Sequence, residues 1–164
     1  TTEIYTLSLH DALPICLGFT VHAGEASGPE SVHYAVETLG AQRIGHGVRS
    51  IESQPVMDLL RDKQVLLEIC PTSNVHTGTV PSIAEHPVKA LYQYGIPISI
   101  NDDDPITSRT RVSNELMLLQ TAFDMPVETL IELQLITLEH SFLQQEDIKE
   151  RLKARVRAFV PHRS

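Results

Sequence analysis

Three consecutive carboxylates, Asp102 to Asp104, follow an alternating apolar stretch in the sequence "ISINDDDP" (98–105). Neighbouring like charges repel, so this arrangement costs stability unless a cation or a substrate binds there. Because aspartates are hard oxygen ligands and good hydrogen-bond acceptors, the run is a candidate for binding a metal ion, a substrate or both.

Two other apolar stretches end in groups that can bind a metal or transfer a proton. "VHAGE" contains His22 and Glu25 around a small, flexible turn, and "IGHG" places His46 between two glycines. His, His and Asp at the ends of successive strands fit a Zn²⁺ or similar divalent site with a water at an open position. We therefore expect His22, His46 and Asp103 to converge.

Each of these residues also has a structural explanation. A single His at a strand end is more often a hydrogen-bonded structural residue than a ligand, and Asp before Pro usually caps a helix or lies in a solvated loop. Glu25 could simply precede a helix. The functional explanation is favoured because the groups occur together, at matching ends of consecutive strands.

Other polar residues are weaker candidates. Glu68 could be a catalyst or a packed, charge-compensated core group, and His76 could line the site or be exposed. Cys70 is expected to be a small buried apolar residue. The remaining histidines within or near helices and in the tail are expected to be structural or solvated: His33, His86, His140 and His162.

The composition indicates an acidic globular protein. The chain has 164 residues, is 41% hydrophobic and carries a formal net charge of −8. These values disfavour disorder, nucleic acid binding and an anionic membrane as partner. No apolar run approaches the roughly 20 residues of a membrane span. Two cysteines, Cys16 and Cys70, are too few for a disulfide framework, so a reducing, cytoplasmic location is expected.

Short strands alternate with amphipathic helices along the chain. The predicted strands are 17–22, 43–47, 65–70 and 96–101, and the predicted helices are 27–40, 53–63, 87–95, 109–123, 126–139 and 145–159. A long loop is expected after residue 70, and Ser53 is expected to cap its helix. This alternation predicts an α/β fold of parallel βαβ units, either an open doubly wound sheet or a (β/α)8 barrel.

The two faces of the predicted strands favour the barrel. One face is apolar throughout, whereas the other ends in polar groups at the carboxyl end of each strand: His22, His46, Glu68 and Asp103. Ligands in parallel α/β folds bind at that edge. A doubly wound sheet would instead have both faces apolar.

Four motifs, "TVHAGE", "RIGHG", "LEICPTSN" and "SINDDDP", resemble the adenosine deaminase family in their order and intervals. Members of this family are zinc hydrolases of the amidohydrolase class on a (β/α)8 TIM barrel. The resemblance covers roughly residues 17–160. Within the family, "CPTSNVHTG" is more similar to the adenosine-type branch than to the adenine or AMP branches.

The resemblance implies a role for each matching residue. His22 would bind zinc from the fifth strand, and Asp103 would bind zinc and act as a base toward the metal-bound water. Glu25 would donate a proton to N1 of the purine. His46 would orient and stabilise the attacking hydroxide, and Asp104 would hydrogen-bond N7 of the base.

The chain also departs from the family pattern. The family begins with a strand ending in His-x-His, which supplies two more zinc ligands, and neither that motif nor strands one to four are found here. Residues 1–15 do not resemble the family, and "YTLSLHDALPI" resembles a translated sequencing adaptor, so 1–15 is predicted to be a non-native segment. Residues 16–164 are predicted to form the C-terminal half of the barrel, strands five to eight with C-terminal helices. Asp102 occupies a position where the family often has Thr or another polar residue.

The predicted reaction of the parent enzyme is zinc-dependent hydrolysis of adenosine or deoxyadenosine to inosine or deoxyinosine and ammonia. The expected partners are a purine nucleoside and an N-terminal half-barrel that completes the site. An adenine or AMP-type purine deaminase and a catalytically dead module derived from the fold remain alternatives. With two of the family's zinc ligands and two exposed sheet edges, the polypeptide alone is expected to be inactive and to aggregate.

Overall fold

A computed structural model describes residues 18–159, in which four strands form one parallel sheet. The strands are β1 (Thr20–Ala23), β2 (Arg43–His46), β3 (Leu66–Ile69) and β4 (Ile98–Ile100). Each strand pairs with the next along the chain, in the order β1-β2-β3-β4. The prediction of an α/β fold with parallel strands is confirmed.

The strand register gives the sheet two chemically different faces. One row of laterally paired residues is fully buried and belongs to the hydrophobic core: Ile44, Leu67 and Ile98. The next row along the strands is small or polar: Gly45, Glu68 and Ser99. Successive residues of a strand point to opposite faces, so the first row packs in the core while the second lines the other face.

Within residues 18–159 the strands are connected and followed by seven α-helices. These are α1 (Pro29–Glu37), α2 (Gln54–Asp62), α3 (Pro71–His76), α4 (Val88–Gln93), α5 (Val112–Phe123), α6 (Val127–Glu139) and α7 (Glu146–Arg157). Short 3₁₀ helices cover Val48–Glu52 and Ile83–Glu85. Helices α1, α2 and α3 have proline in the first turn, where its missing N–H would have no helical partner. No helix in this part of the chain has the length and apolar character needed to cross a membrane.

Two local predictions were wrong. The segment after residue 70 is not a continuous loop, because Pro71 begins the six-residue helix α3. Six residues are too few to show a helical period in the sequence. Ser53 occupies the position before α2, but its side chain makes no capping hydrogen bond; its backbone carbonyl accepts from the amides of Val56 and Met57 instead.

Candidate active site

The carboxyl ends of the strands bring the predicted residues together around His46. Nε2 of His46 lies 3.3 Å from Oε2 of Glu25 and 4.0 Å from Oδ2 of Asp103. The imidazole of His22 meets that of His46 edge to face, with ring centroids 5.1 Å apart. These side chains come from the ends of β1, β2 and β4, where ligands bind in parallel α/β folds.

Two residues of this cluster have backbone conformations that non-glycine residues rarely adopt. The angle φ is +67° at His46 and +57° at Asp103. An extended backbone through His46 would place its imidazole on the same apolar face as Ile44, so the strand alternation from which His46 was assigned to the polar face does not hold at this residue. The left-handed conformation instead turns the ring toward Glu25 and Asp103. Such conformations cost about 1–3 kcal/mol each and concentrate at functional sites.

Gly45 provides the space that the His22 ring occupies. A Cβ atom built on Gly45 would lie 2.1 Å from Cδ2 of His22. The two residues are paired across β1 and β2, so the imidazole lies directly over the backbone of its neighbour. The glycine before His46 is therefore required by the ring of the adjacent strand.

The imidazole of His46 is almost completely buried, with 2% of the residue exposed. Burial lowers the pKa of His46, and the charges of Glu25 and Asp103 oppose that change. Nδ1 of His46 lies 3.1 Å from Nδ2 of Asn74. His46 thus has a buried polar neighbour on one side and the two carboxylates on the other.

Helix α3 and the residue after it make three polar contacts to the cluster that were not predicted from the sequence. Ser73 donates a 2.6 Å hydrogen bond to Asp103, and Asn74 contacts His46. Thr77, directly after the helix, donates to Oε1 of Glu25 at 3.2 Å. The motif "CPTSN" contains Ser73 and Asn74. A helix gives these side chains defined faces, whereas the loop predicted for this segment does not.

Asp104 lies outside this cluster of contacts. One of its carboxylate oxygens accepts the amides of Ile106 and Thr107, and the other accepts the Thr107 hydroxyl at 2.6 Å. The hydrogen bond from the Thr107 hydroxyl, followed by the backbone bonds, lowers the pKa of Asp104. The carboxylate therefore caps the turn after β4, and its predicted contact with the base stays a prediction.

Glu68 and Cys70 lie in surroundings that indicate structural roles. Glu68 accepts from the guanidinium of Arg43 and from the hydroxyl of Thr20, which makes it a charge-compensated group. Burial raises the pKa of Cys70 to about 12, so its thiol stays protonated at neutral pH. Neither residue is available as a nucleophile or free base.

The remaining histidines divide by burial. His33 and His76 are exposed, and Nδ1 of His140 lies 2.9 Å from the carbonyl of Ile136. His86 is buried, with 3% exposed, and contacts Asn74. His162, together with the predicted non-native segment 1–15, lies outside the described residues.

The donor atoms present here fit part of a zinc site. His22 and Asp103 are ligand types that zinc prefers, and both lie against His46 at the same edge of the sheet. Structural and catalytic zinc sites use three or four protein ligands. Between residues 18 and 159 no group of three His, Cys, Asp or Glu side chains could hold a metal ion. A complete site would need donors from beyond the described residues.

Comparison with known proteins relates this chain to the adenosine deaminase family. Residues 5–159 match the adenosine deaminase family. The chain is 43% identical over 139 residues to the adenosine deaminase of Escherichia coli O1:K1, covering 85% of this chain and 41% of that protein. The chain thus spans less than half the length of this relative.

Solved structures show the same fold. An adenine deaminase from Arthrobacter aurescens superimposes with a TM-score of 0.86 at 28% identity, over 91% of this chain and 45% of that chain. The apo N6-methyl-AMP deaminase from Arabidopsis thaliana gives a TM-score of 0.82 at 25% identity, over 94% of this chain and 44% of that chain. Because the four-stranded sheet matches under half of a TIM-barrel amidohydrolase, the prediction of a partial (β/α)8 barrel is confirmed. The chain belongs to the adenosine deaminase family.

Proposed function

We propose that this chain is the C-terminal half of a zinc-dependent deaminase that hydrolyses adenosine or deoxyadenosine to inosine or deoxyinosine and ammonia. The observation that carries the proposal is the convergence of Glu25 and Asp103 on Nε2 of His46, at 3.3 and 4.0 Å. The 43% identity to an adenosine deaminase supports the choice of substrate.

The chemistry requires three functions from the protein. Hydrolytic deamination adds the oxygen of water to C6 of the purine, places a proton on N1 and releases ammonia. Glu25, held by Thr77, would give the proton to N1 as a general acid. Asp103, held by Ser73, would remove the proton from water, and His46 would orient the reacting oxygen.

His22 and Asp103 would hold the zinc ion from this half of the barrel. Bound zinc supplies Lewis acidity, which lowers the pKa of a coordinated water to about 7. A cation at this edge would also offset the repulsion among the carboxylates of the "DDD" run. The missing donors would come from the N-terminal half of the barrel.

The fold also supports a second candidate, a deaminase of adenine or of an adenine nucleotide. Two solved relatives of this fold are named as adenine and N6-methyl-AMP deaminases, at 28% and 25% identity. Asp104, which would contact the base, does not separate these substrates, because all of them contain the same ring. Residues that contact the ribose or the phosphate would determine which of these substrates binds.

A barrel assembled from two separate chains, called the split barrel below, tests the proposal. The chain would be coexpressed with the segment of the E. coli adenosine deaminase that it does not cover, and ammonia release from adenosine, deoxyadenosine, adenine and AMP would be measured with zinc present. We expect turnover of adenosine. Glu25→Gln should lower kcat by about 10²–10⁴-fold, as for loss of a general acid.

Matched variants and single halves serve as controls. Asp103→Asn should abolish turnover, whereas Asp102→Asn, a neighbour with the same chemical change, should retain it. Turnover of adenine or AMP without adenosine would support the second candidate. A folded, zinc-containing complex that turns over none of the four purines would identify a catalytically dead module.

A further inference from the structure

We propose that a buried relay of hydrogen bonds, running from the amide of Val88 through His86 and Asn74, places the proton of His46 on Nε2. His46 then acts as a hydrogen-bond donor to the reacting oxygen, and His86 and Asn74 are positioning residues. This role in catalysis rests on the proposed function, whereas the proton position follows from the structure of this chain alone.

The relay begins at the start of α4. The backbone amide of Val88 donates to Nδ1 of His86 at 3.1 Å. Val88 is the first residue of the helix, so its N–H has no partner within the helix. A backbone amide can only donate, so Nδ1 of His86 is an acceptor and the proton of the neutral ring lies on Nε2.

The proton on Nε2 of His86 fixes the orientation of the Asn74 side-chain amide. Nε2 of His86 lies 3.2 Å from Oδ1 of Asn74. Because His86 donates here, the amide must present its oxygen to His86 and its NH₂ group to His46. Nδ2 of Asn74 lies 3.1 Å from Nδ1 of His46, so Nδ1 accepts and the proton of His46 lies on Nε2.

Burial makes this order costly to reverse. The exposed fractions are 0% for Asn74, 2% for His46 and 3% for His86. Turning the amide over would set two donors against each other at one end and two acceptors at the other, in a position that bulk solvent does not reach. Burial also lowers the pKa of His86 to about 4, which keeps this ring neutral at pH 7.

The relay gives His46 and the neighbouring carboxylates different roles at the site. The Nε2–H group of His46 faces the carboxylates of Glu25 and Asp103, where the reacting oxygen would lie. A preorganised donor there stabilises negative charge that develops on oxygen. With its proton already on Nε2, neutral His46 cannot accept the proton of water, so that step belongs to a carboxylate.

NMR of the ¹⁵N-labelled histidine side chains tests the proton position directly. The ¹⁵N-labelled chain, combined with the unlabelled complementary half of the split barrel, would be measured at pH 7 by long-range ¹H–¹⁵N correlation, with far-UV circular dichroism to verify folding. We expect His46 and His86 each to carry a proton on Nε2 and a bare Nδ1. A wild-type His46 with its proton on Nδ1, or on both nitrogens, would overturn the inference without any variant.

Two variants test the relay itself. In Asn74→Asp an acceptor oxygen faces His46, so Nδ1 of His46 should become protonated; an unprotonated Nδ1 in the folded variant would contradict the relay. In His86→Gln the Gln amide can still donate to Asn74, so His46 should keep its proton on Nε2, while the loss of the His86 signals assigns the spectrum.

Kinetics in the split barrel connect the proton position to catalysis. Asn74→Asp should lower kcat by about 100-fold, the typical loss when one preorganised donor is removed, with KM little changed. His33→Gln, at an exposed histidine of α1 outside the relay, is the matched control and should leave the rate unchanged. If the tautomer is as expected but no purine is turned over, the proposed function fails and the relay stands. An active enzyme with the other tautomer would instead contradict the relay and support the proposed function.

Discussion

His46 is a buried imidazole with different polar neighbours on its two sides. Its Nδ1 faces the amide of Asn74, and its Nε2 faces two carboxylates. The left-handed backbone at His46 provides this orientation, and the surrounding structure must offset its unfavourable conformational free energy. The position of the His46 imidazole therefore depends on a left-handed backbone conformation that non-glycine residues rarely adopt.

At the same scale, Gly45 is expected to control His22. Gly45→Ala places a methyl group where Cδ2 of His22 lies, at 2.1 Å, so the exposed imidazole must move away from the site. Mutating a residue that positions a metal ligand typically costs 10–100-fold in metal affinity or activity, and we expect a loss of about that size in deamination rate in the split barrel.

A double-mutant cycle is the control for this prediction. If the methyl group acts through the ring, Gly45→Ala should add little to the loss already caused by His22→Ala. Full additivity of the two losses would mean that Gly45 acts by another route, such as a change in the β2 backbone.

At the scale of elements, two short helices position the site. Helix α3 presents Ser73 and Asn74 to the cluster, and Glu115 of α5 holds its first turn by accepting the amide of Thr72 at 3.0 Å. Helix α4 contributes through the amide of Val88, its first residue. Helix starts matter here because their free N–H groups have a fixed direction.

The His86 contact at the start of α4 makes stability depend on pH. Its pKa is about 4 in the folded chain and roughly 6.5 when unfolded, so between these values the unfolded state binds the proton more strongly. The contribution is fully present above about pH 6.5 and is lost as pH falls toward 4, by about 3 kcal/mol.

Chemical unfolding at pH 7 and pH 4 measures this loss, with His86→Gln as the control that cannot titrate. The difference in unfolding free energy between wild type and variant should shift by that amount in favour of the variant at low pH. An unchanged difference would show that His86 titrates alike in the folded and unfolded states.

At the scale of the whole molecule, the sheet is an open piece of a barrel. Among the described residues, β1 pairs only with β2, and β4 pairs only with β3. Each outer strand therefore presents backbone donors and acceptors that a closed barrel would pair. The same edges adjoin the site, so under the proposed function closing the barrel would also complete the set of metal ligands.

The open edges predict self-association of the isolated chain. Size-exclusion chromatography with light scattering should show oligomers at micromolar concentration, and the complementary N-terminal half should convert them to a 1:1 complex. An unrelated acidic protein should have no such effect. A monodisperse monomer that does not bind the complementary half would contradict this prediction.

The sequence alone determined the α/β fold, the strand order along the chain and the residues that carry polar groups at the strand ends. Local periodicity encodes these features, since apolar and polar positions alternate within each strand. The motif resemblance pointed to the family for the same reason: its residues are contiguous in short segments.

Only the tertiary structure decided the left-handed turn at His46, the helix α3 and the relay through Asn74 to His86. The partners in that relay are separated by 28 and 12 positions in the chain, so no local pattern links them. The direction of each hydrogen bond depends on which groups meet in the buried interior after folding. Proton position is therefore a property of the packed interior, which residue spacing does not specify.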